Sequence, residues 1–428
     1  MLENRNHLFN RAILALVFTV CFAIYLAPEL SIPLQLAPIV LFAVLVFGRA
    51  FASGAFIPAL VGFLDVDGLV YVLFLSILMV ECSMSSAYED ALNFALLLSA
   101  CLILGRIYMS VVTIKEVLDA FYWSAIASLT IFVPLGFGAL VQSATNLQRL
   151  MAFNFHPNGL AMQLSAYLCV MVWKFMTGGW ATKALSLLLG LVSLFIVFLT
   201  SSRGTLVALA CGGLFFIAMV FATSGKERRK KIVRLSGVAF VILLICTALI
   251  YKADSTKDTY DAMDQMLALS SHDRGLDSGM TGRVDVWHEV VRAVSDGSWL
   301  FGHGIRSSDV VWSYDPKIDN SYLVILYDMG IVPLILITWR FVRMLQRSTS
   351  NCLSTSGKDE KRLWLICGIF LVVVLVTSIV ERSLFAVGNP FSLLAFLLFA
   401  APDRSWGPDP VSPRVPGRSM QPRWAAGD

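Results

Sequence analysis

The sequence predicts an all-α integral membrane protein of about twelve transmembrane helices with one long polar loop on the outward side. Three observations carry this. Of the 428 residues, 57% are apolar and only 14% charged, against about 45–50% and about 25% in a soluble domain. The apolar residues gather in long runs almost free of charge, which a soluble core cannot use but a bilayer about 30 Å thick requires. Lysine and arginine, finally, concentrate in alternate loops, as orientation in a membrane demands.

Taken in order, the first nine runs are Ala12 to Ala27, Ile32 to Phe47, Gly68 to Val80, Ala91 to Gly105, Val117 to Phe137, Asn158 to Met176, Ala184 to Thr200, Thr205 to Ala222 and Leu235 to Tyr251. They make a unit of residues 1–251. Three more, Ser321 to Thr338, Leu363 to Val380 and Leu384 to Ala400, occupy 321–400. Phe56 to Leu64 is too short to span and reads as an interfacial or half-inserted segment. Arg5 and Arg11 precede the first run as in a signal peptide, but no convincing small-x-small site follows, so an uncleaved first helix is expected. The tail 401–428 is rich in Pro, Arg and Gly and poor in aliphatic residues. It should be disordered.

Alternating these runs puts 23 of the 33 Lys and Arg on one side and only three in short loops on the other. The first side is therefore cytoplasmic, with both termini. The run Lys226 to Arg234 is then a topology anchor and not a nucleic-acid patch. Seven of the eight cysteines lie in or beside apolar runs without any Cys-x-x-Cys, as small buried hydrophobes do.

Residues 252–320 form the only long polar segment, and it faces outward. Two amphipathic helices are expected there. Lys257 to Ser270 aligns Tyr260, Met263 and Leu267, and Arg283 to Ser295 aligns Val284, Trp287, Val291 and Val294, with Thr281 as a cap. No His-x-x-x-His or similar ligand spacing occurs, so no metal is assigned, and no cofactor motif is present.

Chemistry concentrates at the outward mouth. Arg203, in Thr200-Ser201-Ser202-Arg203-Gly204, fits a snorkelling turn residue or a guanidinium aimed at phosphate. Arg283 opens a helix beside Trp287, which suits a solvated face or a second phosphate contact. Asp319-Asn320-Ser321-Tyr322 would cap a helix whatever the protein does. It also offers Asp319 as a general base toward a sugar hydroxyl. Asn320, Tyr322, Arg149, Asn158 and Arg306 are further substrate-binding candidates. Asp328, with Gly330 and Pro333, puts a carboxylate inside an apolar run next to an expected kink. His303, in Phe301-Gly302-His303-Gly304, has no paired carboxylate at fixed spacing and reads as structural.

The ordered set His156-Pro157-Asn158, Ser202-Arg203-Gly204, Gly282-Arg283 with Trp287, Phe301-Gly302-His303-Gly304 and Asp319-Asn320-Ser321-Tyr322-Leu323 with Gly330 resembles the O-antigen polymerase and O-antigen ligase superfamily. The likeness covers mainly Phe155 to Pro333. It implies a membrane glycosyltransferase of the C-type fold in the bacterial inner membrane, with its active site facing the periplasm. It also implies donor and acceptor saccharides carried on polyprenyl diphosphate, no metal or nucleotide sugar, and for a polymerase a chain-length regulator as partner. The family's ligases carry a His-Asn pair nine residues before a Gly-x-x-Gly, and that histidine is taken as base. Here Asp319 stands in its place, Ser321 to Met329 and Gly330 keep the spacing, and Pro333 replaces the second glycine. The departure favours a polymerase of surface polysaccharide or exopolysaccharide repeat units. The alternatives are an O-antigen ligase acting on lipid A core and, from another class, a polysaccharide transporter or flippase. The two halves lack the internal symmetry expected of a transporter.

Overall fold

A computed structural model describes residues 2–26, 32–52, 54, 56–57, 66–146, 150, 156–223, 283–297, 299–312, 318–384 and 389–406. Their regular structure is entirely helical. The expected span Leu235 to Tyr251, the helix Lys257 to Ser270, the cap Thr281, Arg149, and most of the segment 56–64 and of the tail lie outside the described residues.

The N-terminal helices are α1 (Leu2–Leu26), α2 (Ile32–Ala52), α3 (Val66–Met84), α4 (Tyr88–Met109), α5 (Ile114–Leu135) and α6 (Phe137–Asn146). Then follow α7 (Pro157–Thr177), α8 (Trp180–Leu199) and α9 (Arg203–Thr223). The remainder holds α10 (Arg283–Asp296), α11 (Ser307–Val311), α12 (Ser321–Met329), α13 (Ile331–Ser354), α14 (Lys358–Val380) and α15 (Pro390–Ala400). Among the described residues six helices, α4, α5, α7, α8, α9 and α14, are long and apolar enough to cross a membrane, and shorter apolar stretches lie in α1, α2, α3 and α15. Side chains such as Leu187, Leu188, Leu191 and Phe195 of α8 are apolar and exposed. Only a hydrocarbon solvent makes such a face stable without a protein partner.

The ends of these helices follow from local chemistry. Thr113 and Glu116 form a reciprocal capping box at the start of α5, satisfying two otherwise orphaned amides. Asn389 accepts from the Phe391 amide, and Pro390 at the first turn sets the start of α15. Every residue of α15 is buried, and it packs against α1, α4, α5, α7 and α13 as the central post of the bundle. Its last carbonyls take charged donors: Arg106 donates to Ala400 O, and Arg340 to Phe399 O at 3.2 Å and to Ala401 O. Both arginines are buried, and cations at a helix C-terminus offset its dipole. In α5, Asp119 holds Arg11 at 3.5 Å and Lys174.

Two expectations are corrected. The run Ser321 to Thr338 is not one helix. It breaks at Gly330, whose φ of +80° ends α12 and starts α13, and α13 then continues to Ser354. The break is held open because the loop 299–304 is laid into it: Ile331 N donates to Trp299 O, His303 N to Tyr327 O and Gly304 N to Asp328 O. In α10, the packed face is Val286, Val290 and Val294, which join Ile318 and Tyr327, while Val291 is exposed. The i, i+4, i+8 stripe replaces the predicted one because α10 rests on α12.

Candidate functional site

The site is built around the end of α14. This helix is largely apolar from Leu363 to Val380 and then gives way to Glu381-Arg382-Ser383. Ser321, at the start of α12, pins that turn. Its hydroxyl donates to Glu381 O at 2.7 Å and accepts from the amides of Ser383 at 2.9 Å and Leu384 at 3.2 Å. Asn320 caps α12 through the amides of Tyr322 and Leu323, and the Tyr322 hydroxyl donates to Leu375 O in α14 at 3.0 Å. The start of α12 is thereby fixed against the end of α14, which sets where Asp319 sits.

Arg283, the first residue of α10, reaches into this corner. Its Nη1 donates to Val380 O at 2.9 Å, its Nη2 to Asp319 Oδ2 at 2.8 Å, and Nη2 lies 3.6 Å from Glu381 Oε1. From α7, Asn158 Nδ2 donates to Glu381 Oε1 at 2.5 Å. One guanidinium thus faces two carboxylates, a geometry that suits exchange of one oxygen anion for another.

Arg203 opens the helix that packs against α14, whose end forms this corner. It opens α9 after the turn Thr200-Ser201-Ser202, in which Ser201 has φ +53° and Ser202 Oγ lies 3.0 Å from Thr205 Oγ1. The next residue, Gly204, lies against Val380, the residue whose carbonyl takes Arg283. Arg203 itself is half-buried.

A second knot adjoins the first through Arg382. Its Nη1 donates to Asp309 Oδ1, which sits on a carboxylate whose Oδ2 takes Arg306 Nε at 2.8 Å. The Asp309 carboxyl is half-buried, which by itself raises its pKa, but the Arg382 and Arg306 charges outweigh burial and hold it below the usual carboxylate value. Asp328 is buried and accepts from Ser308 N at 2.8 Å, Ser308 Oγ at 3.0 Å and Arg306 N at 3.1 Å. These bonds fold loop 303–311 onto the Gly330 break. His303 stacks on Tyr327 with ring centres 4.3 Å apart.

Of the residues singled out in the sequence, Arg283, Asp319 and Asn158 meet around Glu381, and Arg203 starts its helix beside them. Asn320 and Tyr322 are engaged in holding α12, and Arg306 is engaged in the second knot. Arg149 lies outside the described residues, although Leu150 N donates to Leu199 O next to the Arg203 turn. Sequence reasoning missed Glu381. The signal was an acid in the short polar gap between the last two apolar runs, at the same end as Arg203 and Asp319.

Residues 188–338 match the family described as O-antigen ligase. The match supports the O-antigen ligase and polymerase superfamily. It takes in Arg203, Arg283, Arg306 and Asp319, and leaves Asn158 and Glu381 outside. The match spans six of the eight candidate residues, Asn320 and Tyr322 among them, and the rest of the corner comes from flanking segments. No curated protein matches the chain.

Proposed function

We propose that the protein is a membrane glycosyltransferase that polymerises polyprenyl-diphosphate-linked oligosaccharide repeat units of a surface polysaccharide or exopolysaccharide. The observation that carries this is the convergence of Arg283 and Asp319 at 2.8 Å beside the start of α9. Such a corner has both charges that the chemistry needs, and the O-antigen ligase match over the same segment supports it.

The acceptor hydroxyl oxygen attacks the anomeric carbon, and the bond from that carbon to the diphosphate oxygen breaks with its electron pair leaving on the diphosphate. Arg203 and Arg283 stabilise the charge that builds there, because fixed guanidinium groups in a poorly solvated corner hold an anion better than water does. Asp319 takes the hydroxyl proton. A single displacement of this kind inverts the anomeric centre. The carrier diphosphate is already an activated leaving group, so the proposed route uses neither nucleotide sugar nor metal. In this reading the corner faces the periplasm, both termini are cytoplasmic, and a chain-length regulator acts as partner.

Polymerase is preferred to ligase because a carboxylate, Asp319, occupies the position at which the family's ligases carry histidine. The test is complementation of cells lacking the protein with wild type, Arg203→Ala or Asp319→Asn, reading the size of lipid-linked saccharide. Single repeat units accumulate in both variants if the proposal holds. Full-length glycan that fails to reach lipid A core would establish the ligase instead.

A further inference from the structure

Resting on that reading, we propose that Glu381 is the positioning residue of the site, keeping Arg283 in place when the donor diphosphate displaces Asp319 and so exposes Asp319 as base.

The two carboxylates on Arg283 are held very differently. Glu381 is anchored at both ends. Its amide donates to Thr377 O at 2.9 Å, its carbonyl accepts from Ser321 Oγ, and its Oε1 takes Asn158 Nδ2 at 2.5 Å. Asp319 sits on the loop before α12, and among the described residues Arg283 is the donor that meets its carboxylate. The side chain of Asp319 is 33% exposed, that of Glu381 14%. An arriving diphosphate brings oxygens of the same kind to Nη2 and competes for it. The carboxylate that gives way is the one with the shorter list of anchors and the easier access to water. Two acids facing one guanidinium also repel each other, which favours the release of one.

A donor bound in this way turns a masked carboxylate into a free one at the moment the leaving group is in place. The proton of the acceptor hydroxyl then goes to Asp319, while Arg283, still fixed through Val380 O and Glu381, stays on the diphosphate. Without a donor, Asp319 remains paired with Arg283.

The experiment measures binding of inorganic pyrophosphate and of undecaprenyl diphosphate to the purified full-length protein and its variants. Asp319→Asn removes the competitor and tightens binding about tenfold, the scale of one charge-assisted hydrogen bond. Glu381→Gln weakens binding by a similar factor although it also removes a negative charge, and Glu381→Asp restores part of the loss. Asn158→Ala, which reaches the same carboxylate from α7, acts in the direction of Glu381→Gln and covers the case in which that variant does not accumulate. If Glu381→Gln or Asn158→Ala tightens binding as Asp319→Asn does, the carboxylate acts only through its charge and the positioning role is overturned. If wild type binds neither probe, or binds them equally after Arg283→Ala, the proposed donor site itself fails.

Discussion

Gly204 lies so close to Val380 that a Cβ on the glycine would sit 2.4 Å from Val380 Cγ2 and 3.2 Å from its Cβ. That contact sets the start of α9, which Arg203 opens, against the end of α14. Valine is stiff at χ1, so a methyl group here must push the start of α9 away. Gly204→Ala is expected to cost about 1–3 kcal/mol of packing and to lower polymer formation by about tenfold or more through misplacement of Arg203. Saccharide length read beside the amount of protein in the membrane checks this. Unchanged polymer with unchanged protein would show that Arg203 needs no such seat.

Gly330 is another position where a side chain has no room. Its φ is +80°, and a Cβ would meet Leu300 O at 2.2 Å and Gly302 N at 2.8 Å. Gly330→Ala must therefore either strain the backbone or expel loop 299–304, a loss of about 1–3 kcal/mol. Thermal unfolding of the purified protein should show a lower midpoint. A variant as stable as wild type would mean that the α12–α13 break does not depend on the inserted loop.

The Arg306–Asp309–Arg382 knot gives a pH dependence of definite sign. Because the folded protein holds the Asp309 carboxyl below its ordinary value of 3.8, the knot contributes stability that is present above about pH 4 and is lost as pH falls through the lowered value. Asp309→Asn should lower the melting temperature at neutral pH and flatten its fall on acidification. Parallel curves for wild type and variant would indicate that the knot adds nothing to the fold.

The architecture was legible where physics is local. Long apolar runs located the helices, and charge in the loops gave the expected orientation. The run expected from Asn158 starts at Pro157, whereas the helix of the run expected from Leu384 starts at Pro390. What escaped was decided by contacts distant in sequence. Ser321 to Thr338 reads as one apolar run, and only the laying of loop 299–304 against Tyr327 and Asp328 shows why it breaks at Gly330. Asp328 stood out as an acid inside an apolar run, but only the fold shows that Ser308 and Arg306, some twenty residues earlier, surround it with donors. The site shows the same division. Arg203, Arg283, Asp319 and Asn158 each carried a chemical signal, but Glu381 acquires its meaning from Asn158, 223 positions away.

The central claim is that this corner lengthens a lipid-linked glycan. Its most direct test supplies purified protein in bilayer vesicles with lipid-linked repeat units extracted from cells that lack the protein, and follows saccharide size and free polyprenyl diphosphate together. The predicted result is a ladder of products with one diphosphate released for each unit added, absent with Asp319→Asn and at least about 100-fold slower with Arg203→Ala. A wild-type protein that releases no diphosphate while moving the units across the bilayer, or a ladder that Arg203→Ala leaves intact, would contradict it.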